Sequence, residues 1–333
     1  MTRALVTVLL FSSLFAVPAR ADQIEDSTFV PKVANPAFTA KHPVVMIDQA
    51  HHNYFSMRQH YRAFVSLLAK DGARVIPGVQ RFSPTLLATC QVLVVADAMG
   101  GDNFANVSAH ALAFQASECS ALQDWVRAGG GLLLISEYAP FCDAMRDLIG
   151  GFGVTMSFGM TVDPHRMDPE TGSPGCILFS RAQGSIADHP ITRGRDKSER
   201  IERVATFTGQ SLLGPPGSHG LLVLGPSAAD YPPSAGAPQR KIDPEARRLS
   251  QLTDDMKAAG LLPAVGRFQA VAFTLGKGRV VVLGEGAMFA AQKVVGPDAQ
   301  LLGKQEVRMG LNRPDLDNAQ FALNILHWLA RIL

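Results

Sequence analysis

The chain has 333 residues, 47% hydrophobic and 18% charged, which is enough apolar material for a large folded core and too little charge for a solvated, disordered polymer. Lys and Arg number 31 against 29 Asp and Glu, and Arg3 and Arg20 fall within the first 21 residues, so the remainder carries 29 of each sign and is formally neutral. With no basic stripe and no basic patch interleaved with aromatics, no nucleic-acid partner is expected.

The chain opens with the pattern of an export signal. Arg3 supplies a positive start, residues 4–17 are apolar or small except for Thr7, Ser12 and Ser13, Pro18 breaks the run, and Ala19-Arg20-Ala21 gives a small-x-small cleavage pattern before Asp22. The apolar run is shorter than the roughly 20 residues needed to cross hydrocarbon. No Cys follows the cleavage position to carry a lipid, and no later segment is long and apolar enough to span a bilayer. The expectation is a signal peptide at 1–21 cleaved after Ala21, leaving a periplasmic or secreted protein at 22–333 with no stable membrane anchor.

Strand and helix signals then alternate. Residues 44–47 form an apolar run ending at Asp48. Residues 57–70 carry Tyr61, Phe64, Val65, Leu67 and Leu68 at helical spacing and stop at Asp71-Gly72. Residues 74–77 and 92–96 read as strands, 122–128 as a helix ending in the glycines at 129–131, and 132–136 as a fourth strand. Continuous apolar strands separated by helices predict a mostly parallel sheet covered on both faces. The stretch 151–266 is rich in Gly, Pro and Ser, with Pro232-Pro233 inside a tract at 225–244, and reads as a loop-rich insertion with short strands at 204–207 and 221–224. Residues 270–275, Gly276-Lys277-Gly278 and 279–283 read as a hairpin. Asp317 can cap a final helix, with Gln320 in the capping-box position and a buried stripe of Phe321, Ile325, Trp328, Leu329 and Ile332. One α/β domain at 22–333 accounts for the whole.

The cysteines are Cys90, Cys119, Cys142 and Cys176, and their spacing offers no zinc pattern. Export permits two disulfides in three connectivities. Cys90 and Cys119 should lie at opposite ends of the sheet, so Cys142 with Cys119 or with Cys176 is the preferred bridge; four free buried thiols are the alternative.

The phrases IDQAHHNYF at 47–55, LLLISEYAPF at 132–141, DHPITRG at 188–194, ERVATFTGQ at 202–210, LGKGRVVVLGEGAMFAAQ at 275–292 and NAQFALNILHWL at 318–329 resemble, as a set and in this order, the exported class I glutamine amidotransferase-like domains of unassigned function. The resemblance implies a three-layer flavodoxin-like α/β fold. The chain departs from the catalytic amidotransferases where it matters most. Their nucleophile turn carries a Cys between glycines, whereas here the turn reads Ser136-Glu137-Tyr138-Ala139-Pro140. Glutamine hydrolysis therefore lacks its thiolate.

In open α/β sheets ligands bind beyond the carboxyl ends of the strands. Those ends here carry Asp48 followed by His51, His52 and Asn53; Asp97 followed by Gly100-Gly101; Ser136, Glu137 and Tyr138; and Glu285. Carboxylates, an imidazole and a tyrosine in one cleft are the material of acid–base chemistry. Against this, Asp48 and Asp97 can each simply cap a turn. Glu137 and Glu285 follow buried strands, where an idle charge is costly. His51, Glu137, Asp48 and Glu285 are the catalytic candidates, and Asn53, Asp97 and Tyr138 the ligand-binding ones. No ligand pair has zincin spacing, so neither a metal nor a cofactor is expected. His327 beside Trp328 reads as a hydrogen-bonded structural histidine, and His189 as a turn residue. Two functions compete: an accessory module binding a small molecule, glycan or peptide, and a hydrolase using His51 and Glu137 as base and acid.

Overall fold

The computed structural model describes residues 23–101, 112–232, 257, 260–296, 299–300 and 303–333; the signal peptide expected at 1–21 and most of the proline-bearing tract at 225–244 lie outside them. The first half runs β1 (Gln23–Glu25), β2 (Val44–Asp48), α1 (Arg62–Lys70), β3 (Arg74–Gly78), α2 (Pro84–Leu87), β4 (Val92–Ala96), α3 (Ala116–Ala128), β5 (Gly131–Ile135) and α4 (Phe141–Gly151). Then come β6 (Thr155–Val162), β7 (Cys176–Ser180), α5 (Pro190–Arg193), β8 (Arg203–Phe207), β9 (Gln210–Leu213), β10 (His219–Val223), β11 (Ala229–Asp230) and β12 (Leu262–Pro263). The last part holds β13 (Phe268–Leu275), β14 (Gly278–Leu283), β15 (Ala291–Val295), β16 (Glu306–Gly310) and a terminal helix, α6 (Asn318–Leu329).

Successive side chains of a strand face opposite sides of its sheet, and the apolar runs of β2, β4, β5 and β14 are continuous because both sides are covered. Val45, Ile47, Val94, Leu133, Ile135 and Val281 pack into one core with Phe64 and Leu67 of α1 and Phe321 and Ile325 of α6. Met46, Leu93, Val95, Leu132, Leu134 and Val282 pack into a second core with Leu87 of α2, Leu122 and Val126 of α3 and Leu148 of α4. Burying one such aliphatic side chain contributes about 1.5–3 kcal/mol.

The eleven-stranded sheet has the order β12-β11-β6-β9-β13-β14-β5-β4-β2-β3, with β10 also on β13. Strands β3, β2, β4, β5 and β14 pair in parallel. Every pairing on the other side of β14 is antiparallel. The sheet is thus mixed, not mostly parallel as the alternating pattern predicted. The β13–β14 hairpin, turning at Gly276 and Lys277, reverses the chain direction, and the stretch read as a loop-rich insertion adds β6 and β9 to β12 to the antiparallel side. Two smaller sheets, β1-β15-β16 and β7-β8, complete the strands.

Two further expectations are corrected. All four cysteines are free and buried. Cys90, Cys119 and Cys142 belong to the core on the α3 side and Cys176 to the core on the α6 side, so the sheet separates Cys142 from Cys176. Asp317 precedes α6 but makes no side-chain cap bond. Its Oδ2 instead accepts the N–H groups of Glu202 and Arg203 at 2.8 and 2.9 Å, a tertiary tie that outcompetes the local one. His327 on α6 bonds Asp71 through Nε2 at 2.7 Å and is structural.

Candidate functional site

The carboxyl ends of β4, β5 and β14 bring together Asp97, Glu137 and Glu285. Asp97 directly follows β4 in a left-handed conformation (φ 42°), which Asp tolerates better than most residues. That turn aims its side chain across the sheet, where Oδ1 accepts the Glu137 N–H at 2.8 Å. Its other oxygen, Oδ2, is buried with no hydrogen-bond partner among the described residues. Glu137 Oε1 accepts the Gly286 N–H at 3.2 Å, and the Glu285 carboxylate accepts the Met288 N–H at 2.9 and 3.2 Å. Gly284 and Gly286 let the β14 end come this close: a Cβ at Gly284 would strike the Gln210 carbonyl, and one at Gly286 the Phe55 ring.

Relative exposures are 0% for Asp97, 8% for Glu137 and 0% for Glu285, so Glu137 alone meets solvent. Burial raises the Glu137 carboxyl to about 8, against the N–H groups of Gly286 and Ala287, which favour its ionised form. Burial and then the charge of Glu137 push Asp97 and Glu285 well above the usual carboxylate range. A like-charge pair about 4 Å apart costs about 4 kcal/mol at an effective dielectric of 20, more than the roughly 1.5–3 kcal/mol of one charge-assisted hydrogen bond. Repulsion and desolvation therefore win over the backbone donors, and the protonation of each acid depends on that of its neighbours.

Tyrosines surround the acids. The Tyr54 N–H bonds the Asp97 carbonyl at 2.9 Å, which draws the loop after β2 over the cluster. Burial and the Glu137 charge raise the half-buried Tyr54 and Tyr138 phenols. Tyr61, fully buried, donates its hydroxyl to the Gly286 carbonyl at 3.0 Å. From β9, Gln210 donates Nε2 to the Ser136 and Glu137 carbonyls at 2.8 and 3.0 Å and so fixes the turn that carries Glu137.

His51 stands apart from this cluster. Its Nδ1 meets Asp48 at 2.9 Å and its Nε2 meets Glu118 at 2.8 Å, while Phe82 and Phe114 lie against the ring at 4.7 and 4.5 Å between centroids. Arg81 completes the chain with an Nη1 bond to Glu118 at 2.9 Å. Burial would lower the imidazole's pKa, but the hydrogen bonds and charges of Asp48 and Glu118 outweigh it and raise it. With both nitrogens engaged and the ring buried, His51 is an internal strut and not a free base. The expected pairing of His51 with Glu137 is corrected on this ground. Asp48 serves the same strut and also accepts the Ala50 N–H at 3.1 Å. Asn53 holds backbone: its Nδ2 donates to the Ala96 carbonyl at 3.1 Å and its Oδ1 accepts the His51 N–H at 3.4 Å.

Of the residues that the strand-end reading names, Asp97, Glu137, Tyr138 and Glu285 come together, while Asp48, His51 and Asn53 belong to a separate hydrogen-bonded network. That reading omits Tyr54, Tyr61, Gln210 and Glu118. Glu118 had a local signal, since Gln115 and Glu118 form a capping box at the start of α3; the same Glu118 carboxylate serves helix and histidine. Gln210 closes the phrase ERVATFTGQ but carries no chemistry legible in isolation.

No group in the turn replaces the absent thiolate. Ser136 is fully buried and donates to the Glu137 carbonyl at 3.3 Å. Cys142, inside the first turn of α4, is fully buried, and burial pushes its thiol up. Among the described residues no group of three or more His, Cys, Asp and Glu side chains is arranged to hold a metal ion. An open basin of about 710 Å³ lies at the other end of β14, lined by Gly129, Lys277, Arg279 and Arg331.

No family model matches the chain, and no curated protein matches it either. Solved structures do. The mmIFT52 N-terminal domain is similar at 13% identity over 86% of this chain and 97% of that one, with a TM-score of 0.54. The likeness is one of fold. A cytoplasmic protein from Salmonella typhimurium LT2 is similar at 17% identity over 86% of this chain and 98% of that one, TM-score 0.46. A putative ThuA-like protein from Bacteroides uniformis is similar at 12% identity over 88% of this chain and 94% of that one, TM-score 0.43.

Proposed function

We propose that the protein is an extracytoplasmic ligand-binding module built on a flavodoxin-like, class I glutamine amidotransferase-like framework that lacks the glutaminase nucleophile. The parallel run of β2, β4, β5 and β14 with helices on both faces supports that framework, and the signal pattern at 1–21 supports the location. One observation carries the binding reading: Asp97, Glu137 and Glu285 converge at the carboxyl ends of their strands, unneutralised by any cation among the described residues. Buried acids with strongly raised pKa values and no neutralising partner are concentrated at functional sites. The ligand, a small molecule or the end of a glycan or peptide, would sit over Glu137 between Tyr54 and Tyr138.

The test is a thermal-shift comparison of the mature chain and Glu137→Gln against sugars, peptides, amines and divalent metals. A shift with one class that the variant loses supports the reading, and no shift with any class overturns it. A second reading, an enzyme with Glu137 as general acid, draws on its raised carboxyl, protonated near neutral pH. It dispenses with His51, and turnover of a bound ligand would distinguish it.

A further inference from the structure

We infer that the cleft takes the ammonium group of a small organic cation, held by Asp97, Glu137 and Glu285; this rests on reading the cleft as a binding site. Three observations lead there. The first is the orphan oxygen: Asp97 Oδ2 is completely buried, has no hydrogen-bond partner among the described residues, and belongs to a side chain whose other oxygen is fixed on the Glu137 N–H. A buried, unpartnered carboxylate oxygen costs about 1–3 kcal/mol or more, and a bound N–H donor would recover it.

The second is that the hydrogen-bond partners of Glu137 and Glu285 are backbone N–H groups of residues 286–288. These bonds orient the acids without neutralising them. A donor that also brings positive charge fills what the protein leaves open, and an ammonium offers three N–H bonds at hydrogen-bond length.

The third observation separates an ammonium from a metal ion. Divalent cations need several oxygens converging at about 2.0–2.6 Å, and no group of acidic or other ligating side chains among the described residues has that arrangement. An ammonium needs only acceptor oxygens at hydrogen-bond length, a less exacting demand than a metal's coordination shell. The titratable groups that face the acids are the phenols of Tyr54 from the loop after β2, Tyr61 before α1 and Tyr138 after β5, and the thiols of Cys142 on α4 and Cys176 on β7. Burial raises all of them, so they are neutral at physiological pH and none competes for the place of the cation.

Binding a cation here must expel protons. Below the acids' raised pKa values the cleft is occupied by its own protons, and an ammonium enters only as those leave. Affinity therefore rises with pH, about tenfold per pH unit for each proton released, until the acids are ionised. Both probes keep their protons through about pH 8, so the slope between about pH 6 and about pH 8 belongs to the protein.

The experiment is calorimetric titration of the mature chain with ethanolammonium chloride and with putrescine dihydrochloride in amine-free phosphate buffer, at fixed ionic strength. Ethylene glycol is the neutral control, potassium chloride the charge control, and calcium chloride, in a PIPES buffer at the same pH because phosphate precipitates calcium, the metal control. The expected result is saturable binding of at least one amine that strengthens about tenfold per pH unit over that window, and a loss of tenfold or more in Glu137→Gln and in Asp97→Asn. Ethylene glycol or calcium binding in preference to the amines would overturn the cation assignment while leaving a binding cleft in place. Amine binding independent of pH would also overturn it. Absence of binding by every probe overturns the assignment, and the wider ligand screen then decides the binding reading separately. Should a variant fail to fold, the pH slope of the unaltered chain still decides.

Discussion

Asp97 accepts the backbone N–H of Glu137 at 2.8 Å, so one acid of the cluster sets the position of the next. The bond also lashes the end of β4 to the end of β5, and the carboxylate that makes it keeps a second oxygen buried and unpaired.

Asp97→Asn separates these roles. The amide oxygen can keep the Glu137 bond, while the neutral amide removes an acid that burial and the Glu137 charge disfavour in its ionised form. The variant should be more stable than the parent by about 1–3 kcal/mol at neutral pH. Urea denaturation at pH 7 reads this directly, and a destabilised variant would count against the cluster as described.

Stability should fall as pH rises from the acid side toward pH 8 and beyond. Glu137, with its folded-state value raised to about 8 from 4.5, holds its proton more tightly folded than unfolded, so folding is progressively penalised across that interval. His51, also raised, contributes stability fully present below its unfolded value of 6.5 and lost as pH climbs through the higher folded one. His51→Gln should cost about 3–5 kcal/mol below pH 6.5, because Asp48 and Glu118 lose the cation between them. The loss should shrink at higher pH, and denaturation curves of both proteins across the range measure it.

The thiols should be silent in the folded protein. Cys90, Cys119, Cys142 and Cys176 are buried, and burial raises each thiol. Ellman's reagent should find almost none natively and four equivalents in denaturant without reductant. Fewer than four under denaturing conditions would mean that a disulfide exists.

Gly284→Ala should lower stability by about 1–3 kcal/mol, since the added Cβ meets the Gln210 carbonyl, a backbone atom that cannot swing aside. It should also weaken ligand response, because Gly284 immediately precedes Glu285. Thermal melts with and without ligand separate the two effects.

Export is checked at the other end of the chain. Expressed with its first 21 residues, the protein should be recovered outside the cytoplasm with Asp22 at its N-terminus by mass spectrometry.

The parallel half of the fold is legible in sequence because its strands are buried on both faces, and runs such as VLVVA at 92–96 leave little choice. The antiparallel half is not. Strand β9 reads QSLL and β11 is two residues long, so neither carries a period, and both are specified by what they pair with. The site divides along the same line. Strand ends point to Asp97, Glu137, Tyr138 and Glu285 because position on a parallel strand is a local property. His51 looks like a base until Glu118, 67 residues away, is seen at its other nitrogen. Likewise the local cap expected of Asp317 yields to strand β8, a partner 114 residues distant.

The hydrogen bond from Gly286 to Glu137 joins positions 149 residues apart. No fragment that stops before the β13–β14 hairpin therefore contains the complete acid cluster, even though Asp97 and Glu137 already lie on adjacent strands. The repulsion between Glu137 and Glu285 arises only when the hairpin docks against β5. A chain interrupted before that step keeps most of its parallel strands but loses the third acid and the Gly286 N–H that orients Glu137.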